Sequence, residues 1–573
     1  MNTKVALLNR VRPSWRPPLR LLGAWTLLDA LFNLRYPGPE PALWFLLPSL
    51  DAAVLMAIAA AFAARGRRMP RAIVVAAAVL VAAVRLFRVG DGVNRRYFNR
   101  PLTLGLDLPL AMDLVRLLGD TGSRLALIVE ILLAAGALVL VGLLAAWALR
   151  AAERALAARA ARATFVAALA LAALASLAIP AASAGAGSVP GTYVAGAARD
   201  DRRVGAFGDS ALPRLLREAA FAARVDRYRA AQADRIAAVD RALAAAPHGL
   251  ERLGGAPVFL FLIESYGAAV LDQPDHAARI GPVYDGAAAA LAGHGFTVAS
   301  GLLESPTYAG RSWLAHTTLT TGVRTTELVT DRLIQTRQPP ALAGFFHAAG
   351  YRTVLVQPAN HFRNLPRWLY GFDRVYSGWD FDYRGPSYRW AAMPDQYVLD
   401  FVHRREVAPA PEGTPARAPL LATYTLITSH APWSDLPPFI DDWSRIGDGA
   451  VYRALPTEHF PISWINLPDA ALAYDRSVAY DLQVIVDHAI RFVPPGALVI
   501  VLGDHQPVAE VTRFSTSTAV PIHVFSRNPA LVAPFRARGY QPGMRPSREG
   551  APPRGMETLL PDLLADFSVP TGS

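Results

Sequence analysis

The side chains best suited to chemistry stand at the ends of two apolar runs. Ala497-Leu498-Val499-Ile500-Val501-Leu502-Gly503 leads into Asp504-His505-Gln506-Pro507, and Val258-Phe259-Leu260-Phe261-Leu262-Ile263 leads into Glu264-Ser265-Tyr266-Gly267. A short continuous apolar run rich in β-branched and aromatic residues reads as a buried strand. One strand therefore delivers an Asp and a His side by side, and the other delivers a Glu. A carboxylate at the end of a buried strand is costly unless it is paired or bound to a cation. Carboxylate and imidazole are both ligands for divalent metals. Read alone, Asp504 is a turn-capping residue beside a surface His, and Glu264 is a cap or a salt-bridge partner. The apolar strand, the Gly503 hinge and Pro507 favour a metal site assembled from both strands.

A third segment supplies a hydroxyl. In Tyr308-Ala309-Gly310-Arg311-Ser312-Trp313-Leu314-Ala315-His316-Thr317-Thr318 a Gly precedes a Ser that opens an apparent helix. A helix N-terminus offers N–H groups and a positive dipole end to an anion. Ser312 there is a nucleophile if a metal lowers its hydroxyl pKa, or it is simply an N-cap. Both readings stand on sequence grounds, and Thr307, Thr317 and Thr318 are competing hydroxyls.

The elements that must hold these groups follow from the pattern after about residue 256. Strands are expected near 257–264, 352–357, 419–428, 497–502 and 520–526, and helices near 282–293, 313–321, 340–349, 395–405 and 469–493. This alternation predicts an α/β sheet with helices on both faces. Ligands bind beyond the carboxyl ends of strands in such sheets, where Glu264, His430 and Asp504-His505 all fall. No internal repeat is present, and 408–418 is a Pro/Ala-rich loop.

The first third is different. The chain of 573 residues is 53% hydrophobic with a mean hydropathy of +0.24, too apolar for an ordinary soluble protein. Apolar segments fall at about 19–35, 42–64, 71–88, 125–149 and 162–184, against the ~20 residues that span a bilayer. Lys4, Arg10, Arg12 and Arg16 precede the first. Arg65, Arg67, Arg68 and Arg71 separate the second and third, and Arg150, Arg154, Arg159 and Arg162 the fourth and fifth. Positive loops face the cytoplasm, so five spans place everything after about Gly185 outside it. The arginines of the third–fourth loop run against the pattern. The N-terminus lacks a signal-peptide cleavage site. Asp29, Asp51 and Glu130 lie in or near the spans, where an acid is functional by default, although an interfacial place or a structural partner accounts for them more simply. The expected organisation is a transmembrane domain over 1–184, a juxtamembrane helical connector over 185–250 and an α/β domain over 251–573.

The net charge of +11 rests mainly on Arg. It fits membrane topology and anionic lipid. No basic stripe interleaved with aromatics marks a nucleic-acid surface, so no nucleic-acid partner is expected. There is no cysteine, which excludes disulfides and thiolate ligands and leaves a metal only O and N donors.

The order of these parts resembles the membrane-bound, sulfatase-like branch of the alkaline phosphatase superfamily, which includes lipoteichoic acid synthases, phosphoglycerol transferases and lipid A phosphoethanolamine transferases. The resemblance covers nearly the whole chain. It implies five spans followed by an extracytoplasmic three-layer α/β/α domain. It matches Glu264, Asp504 and His505 to the metal ligands and Ser312 to the nucleophile, itself a ligand. Asn360-His361-Phe362 and Trp368 resemble the stretch lining the headgroup pocket, and Ser429-His430-Ala431-Pro432-Trp433 resembles the strand end whose His contacts phosphate. The family commonly has Arg where this chain has Tyr370, and Arg367 is the available substitute. His523 reads as a core histidine.

The implied activity moves a phosphoglycerol, or a related phospho-headgroup, from a membrane phospholipid donor to a glycan or glycolipid acceptor through a phospho-Ser intermediate. One Mn²⁺, Mg²⁺ or Zn²⁺ ion serves as cofactor, at the bacterial cytoplasmic (inner) membrane with the catalytic domain on the periplasmic or extracellular side. Lipid A phosphoethanolamine transferases usually carry disulfides in this domain, and this chain has no cysteine, which favours the phosphoglycerol branch. Ser305-Pro306-Thr307 lacks the spacing that formylglycine sulfatases need. The alternatives are phosphoethanolamine transfer and a membrane-bound phosphodiesterase or sulfatase-like hydrolase.

Overall fold

The computed structural model describes residues 16–33, 49–98, 100–107, 124–178, 210–360, 371–388, 391–408, 417–462, 467–549 and 552–570. The chain divides into two compact units, one of residues 1–96 and 100–225, the other of 97–99 and 226–573.

The first unit is helical: α1 (Arg16–Asn33), α2 (Leu50–Ala64), α3 (Arg71–Phe98), α4 (Arg124–Leu156), α5 (Arg159–Ala178) and α6 (Ala211–Ala222). Leu28, Met56, Val81, Ala145 and Leu149 share one buried core, while Leu132, Leu133, Val139 and Leu143 of α4 stay exposed. Among the described residues two helices are long and apolar enough to cross a membrane, over Arg71–Arg96 and Ile128–Leu156. Of the other expected spans, α2 has only 15 residues, and α1 carries Arg16, Arg20 and Asp29. Two of the acids have structural partners. Asp29 accepts from the Ser49 N–H at 2.9 Å and its hydroxyl at 2.6 Å. Asp51 accepts from the N–H groups of Ala211 and Leu212 at 2.6 and 2.7 Å, so it caps α6. Glu130 is exposed.

The second unit contains α7 (Val225–Ala245), β1 (Val258–Ile263), α8 (Pro274–Gly293), β2 (Thr297–Glu304), α9 (Ser312–Thr321), α10 (Leu328–Arg337), α11 (Leu342–Ala348), β3 (Arg352–Gln357), β4 (Arg374–Ser377), α12 (Asp395–Val402), β5 (Leu420–Leu426), β6 (Asp435–Leu436), β7 (Glu458–His459), α13 (Ala471–Phe492), β8 (Leu498–Gly503), β9 (Ala519–Ser526), α14 (Pro529–Ala537), β10 (Gln541–Pro542), β11 (Arg554–Gly555) and α15 (Leu559–Phe567). The main sheet runs β10-β2-β9-β8-β1-β5-β3-β4, with β11 beside β2. β8, β1, β5, β3 and β4 are parallel, whereas β9 runs antiparallel to β8 and β2. β2 escapes the sequence pattern because Ser300 and Gly301 break its apolar run.

β1 shows why the sheet is covered on both faces. Val258, Leu260 and Leu262 enter a core with Ala315 and Leu319 of α9, Phe346 of α11 and Leu560 and Leu564 of α15. Phe259 and Phe261 point the other way, against the His488 ring of α13. Every residue of β1 is buried, which explains its unbroken apolar run. The result is a helix–sheet–helix sandwich.

Register does the decisive positioning. Ile263 at the end of β1 pairs with Gly503 of β8 and Leu426 of β5. The residues that follow, Glu264, Asp504 and Ile427, are therefore neighbours. The turns beyond β1 and β8 cross so closely that a Cβ on Gly503 would collide with the Tyr266 carbonyl oxygen, and one on Gly267 with Gln506. Gly503→Ala should destabilise the domain by about 3 kcal/mol, since backbone has to move. Thermal unfolding of the purified chain measures this, and an unchanged midpoint would refute the close crossing.

Candidate metal centre and nucleophile

Three strand-end side chains capable of holding a metal converge. Glu264 Oε1 lies 3.1 Å from His505 Nε2, and Asp504 Oδ2 lies 3.6 Å from the same nitrogen. One ligand atom from each of Glu264, Asp504 and His505 falls within 4.8 Å of the others, and all three residues are buried. Asp504 and His505 are oriented from behind. Asp504 Oδ1 accepts from the N–H groups of Ser265 and His505 at 2.8 and 2.7 Å. The His505 Nδ1–H donates to the Gln506 carbonyl at 2.7 Å, which turns Nε2 toward the carboxylates as metal-binding histidines require.

Ser312 is the first residue of α9. Its hydroxyl donates to Glu264 Oε2 at 2.8 Å and lies 3.1 Å from His505 Nε2. Arg311 occupies the N-cap position, with φ at 57° and no capping hydrogen bond from its side chain. Ala309 and Arg311 both adopt left-handed backbone, as do Ser265 and Trp433 beside Glu264 and His430. Such conformations cost about 1–3 kcal/mol each and gather at functional sites. The competing hydroxyls are engaged elsewhere: Thr307 with the Gly310 carbonyl, Thr317 with Asp331 and Thr318 with the Leu314 carbonyl.

The chemistry of the donor set fits a divalent ion. Asp504 Oδ2 is buried without a hydrogen-bond partner among the described residues, an expensive state that a cation would relieve. Burial, then the adjacent Glu264 carboxylate, pushes the Asp504 carboxyl well above its usual range. Burial works against the Glu264 carboxylate too, but His505 and His430 outweigh it and hold its carboxyl well below the usual range. For His505, burial alone favours the neutral ring; the Asp504 and Glu264 carboxylates overcome it and raise the imidazole to about 9. Without metal the cluster therefore keeps a proton at His505 near neutral pH. A cation must displace it, together with any proton held by Asp504, so apparent affinity should rise at least about tenfold per pH unit below pH 9. Titration calorimetry with Mn²⁺ in buffers of different ionisation enthalpy should register the released proton. An affinity that does not change between pH 6 and 8 would count against this electrostatic account.

His430 follows β5 and is half-buried. Its Nδ1 meets the Ala431 carbonyl at 2.6 Å. Burial lowers its pKa, and Glu264 pulls the other way. His361, Arg367 and Trp368, together with Tyr370, lie outside the described residues. His523 is a core residue, bonded to Tyr266 and Ser300 at 2.8 Å each. The sequence reading gave His316 no role. It stands one helical turn after Ser312, with Nε2 4.0 Å from Asp504 Oδ2, and burial holds it neutral by lowering its pKa to about 4. The available signal was its spacing of four residues from Ser312, which puts both on one helix face.

No protein-family model matches the sequence, and no curated protein sequence does. Solved structures are similar in part. An alkaline phosphatase superfamily protein from Vibrio parahaemolyticus shares 14% identity at a TM-score of 0.35, over 55% of this chain and 66% of that one. The lipoteichoic acid synthase LtaP from Listeria monocytogenes shares 14% at 0.31, over 56% and 73%. The Streptococcus pyogenes phosphoglycerol transferase GacH, in complex with sn-glycerol-1-phosphate, shares 12% at 0.33, over 59% and 91%. At these values the likenesses assign no activity by themselves.

Proposed function

We propose that this chain is a metal-dependent, membrane-embedded transferase of the sulfatase-like kind. It moves a phosphoglycerol, or a related phospho-headgroup, from a membrane phospholipid to a glycan or glycolipid acceptor. The observation that carries the reading is the Ser312 hydroxyl, placed at a helix N-terminus and hydrogen-bonded within the Glu264–Asp504–His505 cluster.

A divalent ion held by Glu264, Asp504, His505 and Ser312 Oγ would supply Lewis acidity, lowering the hydroxyl pKa and offsetting charge on the phosphoryl oxygens. Mn²⁺, Mg²⁺ and Zn²⁺ all suit an O/N donor set. Ser312 gives up its proton and its oxygen bonds to phosphorus. The bond from phosphorus to the diacylglycerol oxygen breaks, and that oxygen takes a proton. His430, with His361, contacts the phosphate or delivers this proton. The N–H groups opening α9 face the same phosphate. In the second half an acceptor hydroxyl attacks phosphorus, the bond from phosphorus to Ser312 Oγ breaks, and the proton lost by the acceptor hydroxyl passes to Ser312. If water attacks instead, the enzyme is a phosphodiesterase. In this reading five spans hold the site at the outer face of the bacterial inner membrane, within reach of the donor headgroup.

The test is intact-mass analysis after incubation with phosphatidylglycerol and Mn²⁺. One added phosphoglycerol, absent from Ser312→Ala, supports the reading, and label on Thr307 or Thr317 would reassign the nucleophile. Diacylglycerol release that does not respond to a glycan acceptor would favour the hydrolase.

A further inference from the structure

A second pair of acids lies behind the strand-end turn that carries His430. Asp395 opens α12 and Asp481 sits in the middle of α13, and both are fully buried. Asp395 Oδ2 accepts from the N–H groups of Ile427 and Thr428 at 2.9 and 2.6 Å. Its own N–H donates to Thr428 Oγ1 at 3.3 Å. Asp395 Oδ1 and both oxygens of Asp481 make no hydrogen bond of good geometry among the described residues, and the Ser429 N–H and hydroxyl are the donors that approach Asp481. The two carboxyls reach each other, and Asp481 also faces Ser429. The other titratable groups around them are the buried phenols of Tyr452 and Tyr480, while Asp400 on α12 is paired with Arg404. No cationic side chain among the described residues bonds to either acid.

Two carboxylates cannot both be ionised in contact in such a place. The arrangement is satisfied if Asp481 keeps its proton and donates its O–H to Asp395 Oδ1, which turns two acceptors into a donor and an acceptor. Burial pushes both carboxyls upward, Asp481 well above the usual range.

The turn they hold is tied to the metal centre. The Ser429 hydroxyl donates to the Glu264 carbonyl at 2.6 Å, and the Trp433 indole N–H to the Ser429 carbonyl at 2.5 Å. We propose that Asp395 and Asp481 form a proton-sharing acid pair that positions the Ile427–His430 turn against the metal centre. Neither is a catalytic residue; they act through Ser429 and His430. Loss of the shared proton sets two buried like charges together and pushes α12, α13 and the turn apart. The placement of the turn is independent of the proposed transferase activity, and only the effect on turnover rests on that reading.

Two measurements on the full chain, purified in an ester-free detergent and loaded with Mn²⁺ so that the metal-centre carboxyls are ionised, test the pair. Infrared spectra at pH 7 should show a carboxylic acid C=O stretch that shifts in D₂O and vanishes in Asp481→Asn. Mn²⁺-dependent hydrolysis of bis(p-nitrophenyl) phosphate should then fall about 10- to 100-fold in kcat for Asp481→Ala. Asp481→Asn, whose amide supplies an N–H in place of the O–H, should restore most of it and lose the alkaline decline of the parent. An absent acid band overturns the proposal. So does a second bound Mn²⁺ that Asp481→Asn removes, or an alkaline decline that persists in Asp481→Asn. If the phosphodiester is not hydrolysed by the parent, the transferase reading fails, while the infrared result still decides the pair.

Discussion

Ser312→Ala should fold, bind metal and, if the proposed transferase reading holds, turn over lipid donor about ten thousand-fold more slowly, because removal of the attacking oxygen leaves only binding and electrostatic assistance. The change is small in structural terms. Ser312 does not cap α9, so its loss leaves the helix start intact. The hydroxyl donates to Glu264, and that carboxylate keeps His505 Nε2 at 3.1 Å as a partner. Stability should therefore change by less than about 1 kcal/mol. Single-turnover release of diacylglycerol, read beside a melting curve, separates the two effects. A variant that melts normally and retains turnover would show that another oxygen attacks.

Asp504→Asn should weaken divalent binding by at least about 100-fold, the upper range for losing a mere supporting partner of a ligand. The sign of its effect on the metal-free protein is opposite to that expected for a broken ion pair. Without metal, Asp504 is one of two buried acids in contact and carries an orphaned oxygen. An amide there removes repulsion and gains an N–H donor toward Glu264; it also gives up attraction to the His505 ring, but Glu264 still pairs with that ring at 3.1 Å, so the metal-free variant should melt no lower than the parent. The parent should gain about 2.7 kcal/mol at a Mn²⁺ concentration 100-fold above Kd, while the variant gains almost nothing. Melting curves across a Mn²⁺ series decide this. An equal metal-induced shift in both proteins would remove Asp504 from the ligand set.

Much of the site was legible because buried parallel strands have to be apolar on both faces, so a polar residue at their end stands out. Glu264 and Asp504-His505 were visible for that reason; Gly503 reads in sequence as a hinge, and only the structure shows that a close backbone crossing admits nothing larger there. β2 was missed because Ser300 and Gly301 interrupt its pattern; Ser300 is buried against His523, a contact that local sequence does not encode. His316 and the Asp395–Asp481 pair were missed for the same reason. Each looks like an ordinary helix residue until partners distant in the chain arrive.

Taken by itself, the sequence determined an apolar helical N-terminal third, an α/β remainder and a short set of strand-end ligands, since those depend on local periodicity and on the cost of burying charge. Ser312 was left open between cap and nucleophile, with three threonines as rivals. Only the tertiary structure distinguishes their surroundings. The left-handed turn at Ala309–Arg311 and the register of β1 with β8 aim one hydroxyl at Glu264 and send the others to backbone carbonyls or Asp331. Register and turn geometry are set by long-range packing, and no window of neighbouring residues contains them.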